Sequence, residues 1–338
     1  MFTELWKSLG GSFDKGWLRN LFIPALVFWG AGLWVWVQIT GVDQALKMWE
    51  GHSTEEQVFL GAAGLLIVFF TTILLEAFEG PLIRLYEGYW LFWTGLPGRR
   101  KRELEDKMER RRQLRARVAT NQATLAEKAE LSRIDTELAH RPRDPERSMP
   151  TRLGDILRTG EDYARERYGL DPIVLWPRLF PHLGESLREA LGATQEQLDL
   201  ALRLATLSLI YGVVGSVFVA LRRAWPVLWW TLPALPIAWL LWRSAHQIAM
   251  GYAGLLRSSF DLHRFDVYDD LHWPKPASPE VEREQGVDLT LYLLEGIGAK
   301  EVVYTHEEEE PQGESETAAD RPASRSVWEW ICVLLGCR

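Results

Sequence analysis

Cysteine is nearly absent from this chain of 338 residues: it occurs twice, as Cys332 and Cys337, both at the extreme C-terminus. Two thiols five apart in a tail make neither a zinc knuckle nor a redox CxxC pair, and so sparse a supply excludes a disulfide-stapled scaffold. The familiar catalytic signatures are missing too. There is no GxSxG elbow, no HExxH pair and no dinucleotide fingerprint. Gly296-Ile297-Gly298-Ala299-Lys300 lacks the spacing of a phosphate loop. No catalytic residue and no cofactor is expected, nor a nucleic-acid partner.

Charge is missing only locally. With 38 Lys+Arg against 46 Asp+Glu and 25% charged residues, the average suits a soluble protein. The average hides four uncharged runs, 21–40, 57–75, 204–221 and 224–242, of 20, 19, 18 and 19 residues. At about 1.5 Å per residue, each is close to the length that crosses about 30 Å of hydrocarbon. Tryptophan, at 17 copies, is concentrated in or beside these runs, as in the aromatic belts of a bilayer interface.

The pattern predicts an all-α protein: four spans in two hairpins (19–41 with 57–76, 203–222 with 224–243) and a helical cytoplasmic module in two parts, 150–202 and 244–302. Residues 1–18, with Phe2, Leu5, Trp6 and Leu9 at helical spacing, read as an interfacial helix, and 81–97 as an interfacial aromatic segment. Residues 303–326 are acidic and poor in apolar side chains, which predicts a disordered linker before an apolar tip at 327–338. Lys7, Lys15 and Arg19 before the first run, and Arg99-Arg100-Lys101-Arg102 after the second, place both termini and the module in the cytoplasm. Arg222 and Arg223, between the last two runs, disagree with that topology. Pro226, Pro233 and Pro236 leave open a hairpin that dips into the membrane without crossing it.

Residues 98–140 lack Pro and Gly beyond Gly98 and predict one long charged helix or a broken helical hairpin. Leu104, Met108, Leu114, Val118 and Leu125 form a seam that needs a helical partner, within the chain or in another copy. Gly169 is placed to cap a helix ending at Tyr168, Pro172, Pro177 and Pro181 forbid a long helix through the following apolar run, and that run is expected against the bilayer face. Thr194 with Gln197 reads as a capping box opening the helix that runs into the third span.

Two polar clusters stand out. Asp261, His263, Asp266 and His272 have spacings at which a helix face can hold a divalent cation, although the solvated face of an amphipathic helix explains them better. Glu161, Asp162, Glu166 and Arg167 are expected to join Arg257 and Arg264 in a structural ion-pair network. The spans contain no ionisable residue of the kind that proton or ion relays need.

The stretches Pro150-Thr151-Arg152-Leu153-Gly154, Glu166-Arg167-Tyr168-Gly169, Leu175-Trp176-Pro177-Arg178-Leu179 and Asp261-Leu262-His263-Arg264-Phe265-Asp266 resemble a group of bacterial multi-pass membrane proteins with no established activity. The resemblance implies the bacterial inner membrane and a single unit built from both soluble stretches. Three functions fit: a non-enzymatic module for self-assembly or partner docking at the bilayer, an oligomeric pore or membrane-disrupting effector, and a metal-dependent membrane-associated hydrolase.

Overall fold

The computed structural model describes residues 17–296, and these are all-α. The expectations for 1–16 of the interfacial helix, for 297–302, for the linker 303–326 and for the tip 327–338 lie outside the described residues.

A π-helical turn, Leu18–Phe22, leads into α1, Ile23–Thr40, which ends where Gly41 takes a left-handed φ of 89°. A short helix, α2 (Val42–Glu50), connects to α3, Thr54–Ala77. Ser53 caps α3: its hydroxyl accepts from the Glu56 amide while the Glu56 carboxylate accepts from the Ser53 amide. Leu18–Thr40 and Thr54–Ala77 are both long and apolar enough to cross a membrane. Their outward faces carry Val27, Phe59 and Leu66, each more than 60% exposed, an apolar surface that calls for apolar surroundings. The helices touch through Trp29 Nε1, which donates to Thr71 Oγ1 at 3.0 Å.

After α3 comes α4, Glu79–Glu87, then a left-handed Gly88 and a 3₁₀ turn, Tyr89–Trp93, with Trp90 and Trp93 exposed. Residues 98–140 form the broken hairpin: α5 (Leu96–Ala119) and α6 (Leu125–Leu138). Asn121 makes the bend at φ 55°, a conformation its short polar side chain tolerates, and Thr124 with Glu127 caps α6. Part of the seam is therefore spent inside one chain, while Met108 and Val118 stay half-buried. Leu104 and Leu114 are fully buried, whereas Leu125, at the turn, is 88% exposed.

The remaining helices are α7 (Arg152–Tyr168), α8 (Pro172–Leu179), α9 (Glu185–Leu221), α10 (Leu228–Thr231), α11 (Ala234–Asp270) and α12 (Pro279–Glu295). Glu185–Leu221 is the third helix able to cross a membrane, so among the described residues there are three such helices and not four. The fourth run, 224–242, is divided into a 3₁₀ turn (Trp225–Val227), the single turn of α10 and the first turns of α11. Pro226 and Pro233 lack an amide hydrogen, and each opens a new helical segment instead of continuing one. Ser216 and Thr231 share a hydrogen bond at 2.9 Å that holds the folded-back arm to α9.

The helices run on across the expected boundaries between spans and module. Helices α9 and α11 each run 37 residues, about 55 Å, with one half apolar and the other half in the module. Thr194 lies inside α9, its hydroxyl bonded to the Ala190 carbonyl, so the helix opens at Glu185 after Gly184 and not at the expected capping box. The module packs around this pair in two apolar clusters. One gathers Leu153, Ile156, Leu198 and Leu202 against the ladder Ala245, Ala249 and Ala253; a Cβ on Gly160 would stand 2.9 Å from Ala253 Cβ, so the small residues let α7 and α11 meet closely. The other holds Leu175, Leu179 and Leu183 with Phe260, Tyr268 and Trp273. The proline-broken run therefore supplies the module's own core; it was expected on the bilayer.

Candidate functional site

Four segments of the module, α5, α6, the 139–143 connection and α7 with α11 behind it, enclose a cleft of about 580 Å³. Five arginines line it, Arg111, Arg115, Arg141, Arg143 and Arg257, against two lining carboxylates, Asp135 and Glu166. Met108, Leu138 and Tyr163 complete its walls.

The hairpin is held over this cleft by ion pairs. Arg110 grips Glu130 with two bonds of 2.9 Å, Arg111 and Arg115 share Asp135 at 2.5 and 3.1 Å, and Arg141 reaches Glu103 and Glu137 at 2.9 and 3.1 Å. The Lys107 ammonium and the Arg141 guanidinium hold the Glu103 carboxyl down at about 2. A buried pin fixes the hairpin's base: Asp155, fully buried on α7, accepts from Arg100 Nη2 at 2.5 Å, the Met149 amide at 2.7 Å and Ser148 Oγ at 3.2 Å.

On the other wall, the expected ion-pair network forms with different partners. Asp162 takes Arg147 through two bonds of 2.6 and 2.5 Å, and Glu166 faces Arg143 at 3.6 Å. Glu161 has only Arg158, at 3.7 Å, and burial raises its carboxyl above the usual range. The arginines expected to neutralise these acids stack on tyrosines instead. Arg167 covers Tyr163 and Tyr168 at 5.9 and 5.6 Å, Arg257 covers Tyr163 at 5.7 Å, and Arg264 lies 4.3 Å from the Tyr168 ring while bonding Glu282 at 2.5 Å. Asp261 collects the hydroxyls of both tyrosines.

That arrangement separates the candidate metal ligands. Asp261 turns to the tyrosines, His263 pairs with Asp266 at 2.8 Å, and His272 lies past the end of α11 at φ 50°. Among the described residues no three His, Cys, Asp or Glu side chains converge as metal ligands.

The cleft's arginines are incompletely satisfied. Arg141 Nη1, Arg257 Nε and Glu166 Oε1 are buried without a protein partner, and Arg257 bonds only the Ala139 carbonyl, at 3.2 Å. Burial pulls the Arg257 guanidinium below its ordinary value, with the nearby Arg143 adding to the effect, while burial raises Glu166. A buried cation short of partners is stabilised by an incoming anion. Sequence spacing exposed Arg257 and Glu166 but missed Arg111, Arg115, Arg141 and Arg143, which look like ordinary members of a charged helix and its breaker. The run of arginines without matching lysines was the available signal, because arginine suits bidentate carboxylate contacts. The chain matches no protein-family model, no curated protein and no solved structure.

Proposed function

We propose that this is a non-enzymatic integral membrane protein of the bacterial inner membrane whose cytoplasmic module docks an acidic segment of a partner protein. The observation that carries this reading is the arginine cleft, lined by five arginines and two carboxylates, with two buried guanidinium nitrogens lacking partners. Its arginines already take carboxylates from within the chain, which favours an acidic peptide as the occupant. Burial of Leu104 and Leu114 inside the α5–α6 hairpin favours a foreign partner over self-assembly through that seam. The membrane hydroxyls Thr71, Thr206 and Ser216 are engaged by Trp29, Tyr86 and Thr231, so they support helix packing more than a polar path. Helix α11, which carries Arg257 of the cleft, runs unbroken back to the end of the apolar run 224–242 and packs along α9, which connects the docking site to the anchor.

The test is binding of a fluorescent hexaglutamate peptide to the full chain in mild detergent. Saturable binding is expected, weakening with salt and falling by at least about tenfold in an Arg141→Gln, Arg257→Gln double variant. Binding that ignores the double variant, or the absence of binding, overturns the reading. Binding of inorganic triphosphate without hexaglutamate overturns it in favour of a small-molecule site.

A further inference from the structure

Where the apolar halves of the long helices give way to the module, Arg152, Trp239, Trp242, Arg243, His246 and Gln247 enclose a second cavity, of about 340 Å³, that shares no lining residue with the cleft. Its depth is fixed by charge. Trp242 ends the uncharged run 224–242 and Arg243 is the first charge after it; on the antiparallel α9, Arg203 is the last charge before the run 204–221. Arg203 is neutralised by Glu79, which follows the end of α3 at Ala77, with Nη2 to Oε2 at 2.6 Å. Among the described residues neither Arg152 nor Arg243 has a carboxylate within ion-pair distance, whereas Arg203 does. The Arg243 guanidinium lies over the Trp239 ring at 5.5 Å, and the Trp242 ring stands edge-on to His246 at 4.6 Å. His246 is only 8% exposed, and its Nδ1 donates to the Trp242 carbonyl at 2.8 Å.

We infer that this cavity is a headgroup site for an anionic phospholipid, whose phosphate is held between Arg152 and Arg243 with the indoles of Trp239 and Trp242 at the level of the glycerol and upper acyl chains. Two arginines from different helices converge on one cavity without a counter-ion, at the depth where lipid phosphates lie, while the neighbouring Arg203 has its carboxylate within the protein. Tryptophan settles at this level because its ring is apolar and its N–H polar. The inference rests on the membrane placement proposed above.

The experiment reconstitutes the full chain in nanodiscs of phosphatidylcholine with 30% phosphatidylglycerol, re-extracts it gently and counts retained lipids by native mass spectrometry. One basic residue near an anionic surface is worth roughly fivefold in affinity, so two predict about a thirtyfold enrichment of phosphatidylglycerol at the site. An Arg152→Gln, Arg243→Gln double variant should lose that enrichment, Arg152→Lys should keep most of it, and Arg222→Gln, at the far end of the hairpin, should leave it unchanged. Equal retention of both lipids, or enrichment that survives the double variant, overturns the proposal. Glycerol phosphate binding the detergent-solubilised protein as well as phosphatidylglycerol does would assign the cavity to a free phosphate and overturn the lipid. Flotation of the same proteoliposomes reads membrane insertion separately, so failure of the anchor is distinguishable from failure of the headgroup site.

Discussion

Replacing Arg100 by Met removes the guanidinium from the pin at the base of the α5–α6 hairpin while keeping most of the side chain's volume. Asp155, at 0% exposure, is then left with two neutral donors, the Met149 amide and the Ser148 hydroxyl. The same substitution deletes the bond from Arg100 Nε to the Met149 carbonyl at 3.0 Å. Breaking a buried ion pair from one side typically costs 3–5 kcal/mol. The arginine is 21% exposed, so water screens part of the attraction, and about 2–3 kcal/mol is the expected loss. Asp155→Asn alone should cost about 1–2 kcal/mol, because the amide oxygen still accepts while its NH₂ faces Arg100. Once the carboxylate is gone the arginine has little left to hold, so the double variant should be less destabilised than the sum of the singles by about 1–2 kcal/mol. Denaturant unfolding of the full chain in detergent measures the three free energies. Protease nicking at 120–124 should rise in the Arg100→Met variant as the hairpin loosens over the cleft. Additivity to within about 0.5 kcal/mol would show that the two side chains do not act together and would refute the pin.

Burial, with help from the neighbouring Glu161 carboxylate, pushes the Glu87 carboxyl up to about 7. Between the ordinary carboxylate value near 4.5 and about 7 the unfolded chain ionises while the folded one keeps its proton, so this residue's contribution to stability falls as pH rises through that window and then levels off. Glu87→Gln should therefore stabilise the protein at pH 8 by about 1 kcal/mol, after allowance for the residue's partial exposure, and change little at pH 4; thermal unfolding at the two pH values checks the sign. A Cβ on Gly286 would fall 2.0 Å from the Tyr168 carbonyl oxygen, which is backbone and cannot step aside. Gly286→Ala should prise α12 from α7 at a cost of about 2–3 kcal/mol, seen as faster hydrogen exchange in α12, whereas Gly192→Ala, with open space around it, should be neutral or mildly stabilising.

Elements governed by local chemistry were legible in advance. The absence of charge from 21–40, 57–75 and 204–221 marked three helices able to cross a membrane, because length and apolarity are properties of a segment alone. Gly169 takes the left-handed cap its position promised, at φ 71°, and the choice between a long helix and a hairpin at 98–140 came down to Asn121 and Thr124, both visible as turn and cap residues. The fourth run was misread because absence of charge is insensitive to prolines, whose effect on helix continuity depends on whether the freed carbonyls find other partners.

By itself the sequence determined the all-helical class, the apolar segments and some of the caps and breaks, such as Gly169 and the prolines of 224–242, since these follow from backbone chemistry within a few residues; the expected cap at Thr194 lies inside a helix instead. Only the tertiary structure decided who meets whom. It turned Arg257 and Arg167 onto tyrosine rings and away from acids, spent the Leu104–Leu114 seam inside one chain, and carried α9 and α11 unbroken from the apolar half into the module. It also brought Arg152 beside Arg243 across ninety positions of sequence. Like-charged residues do not announce their convergence in a sequence, because no local periodicity records it; the packing of Gly160 on Ala253 and of Ile156 beside the alanine ladder imposes it.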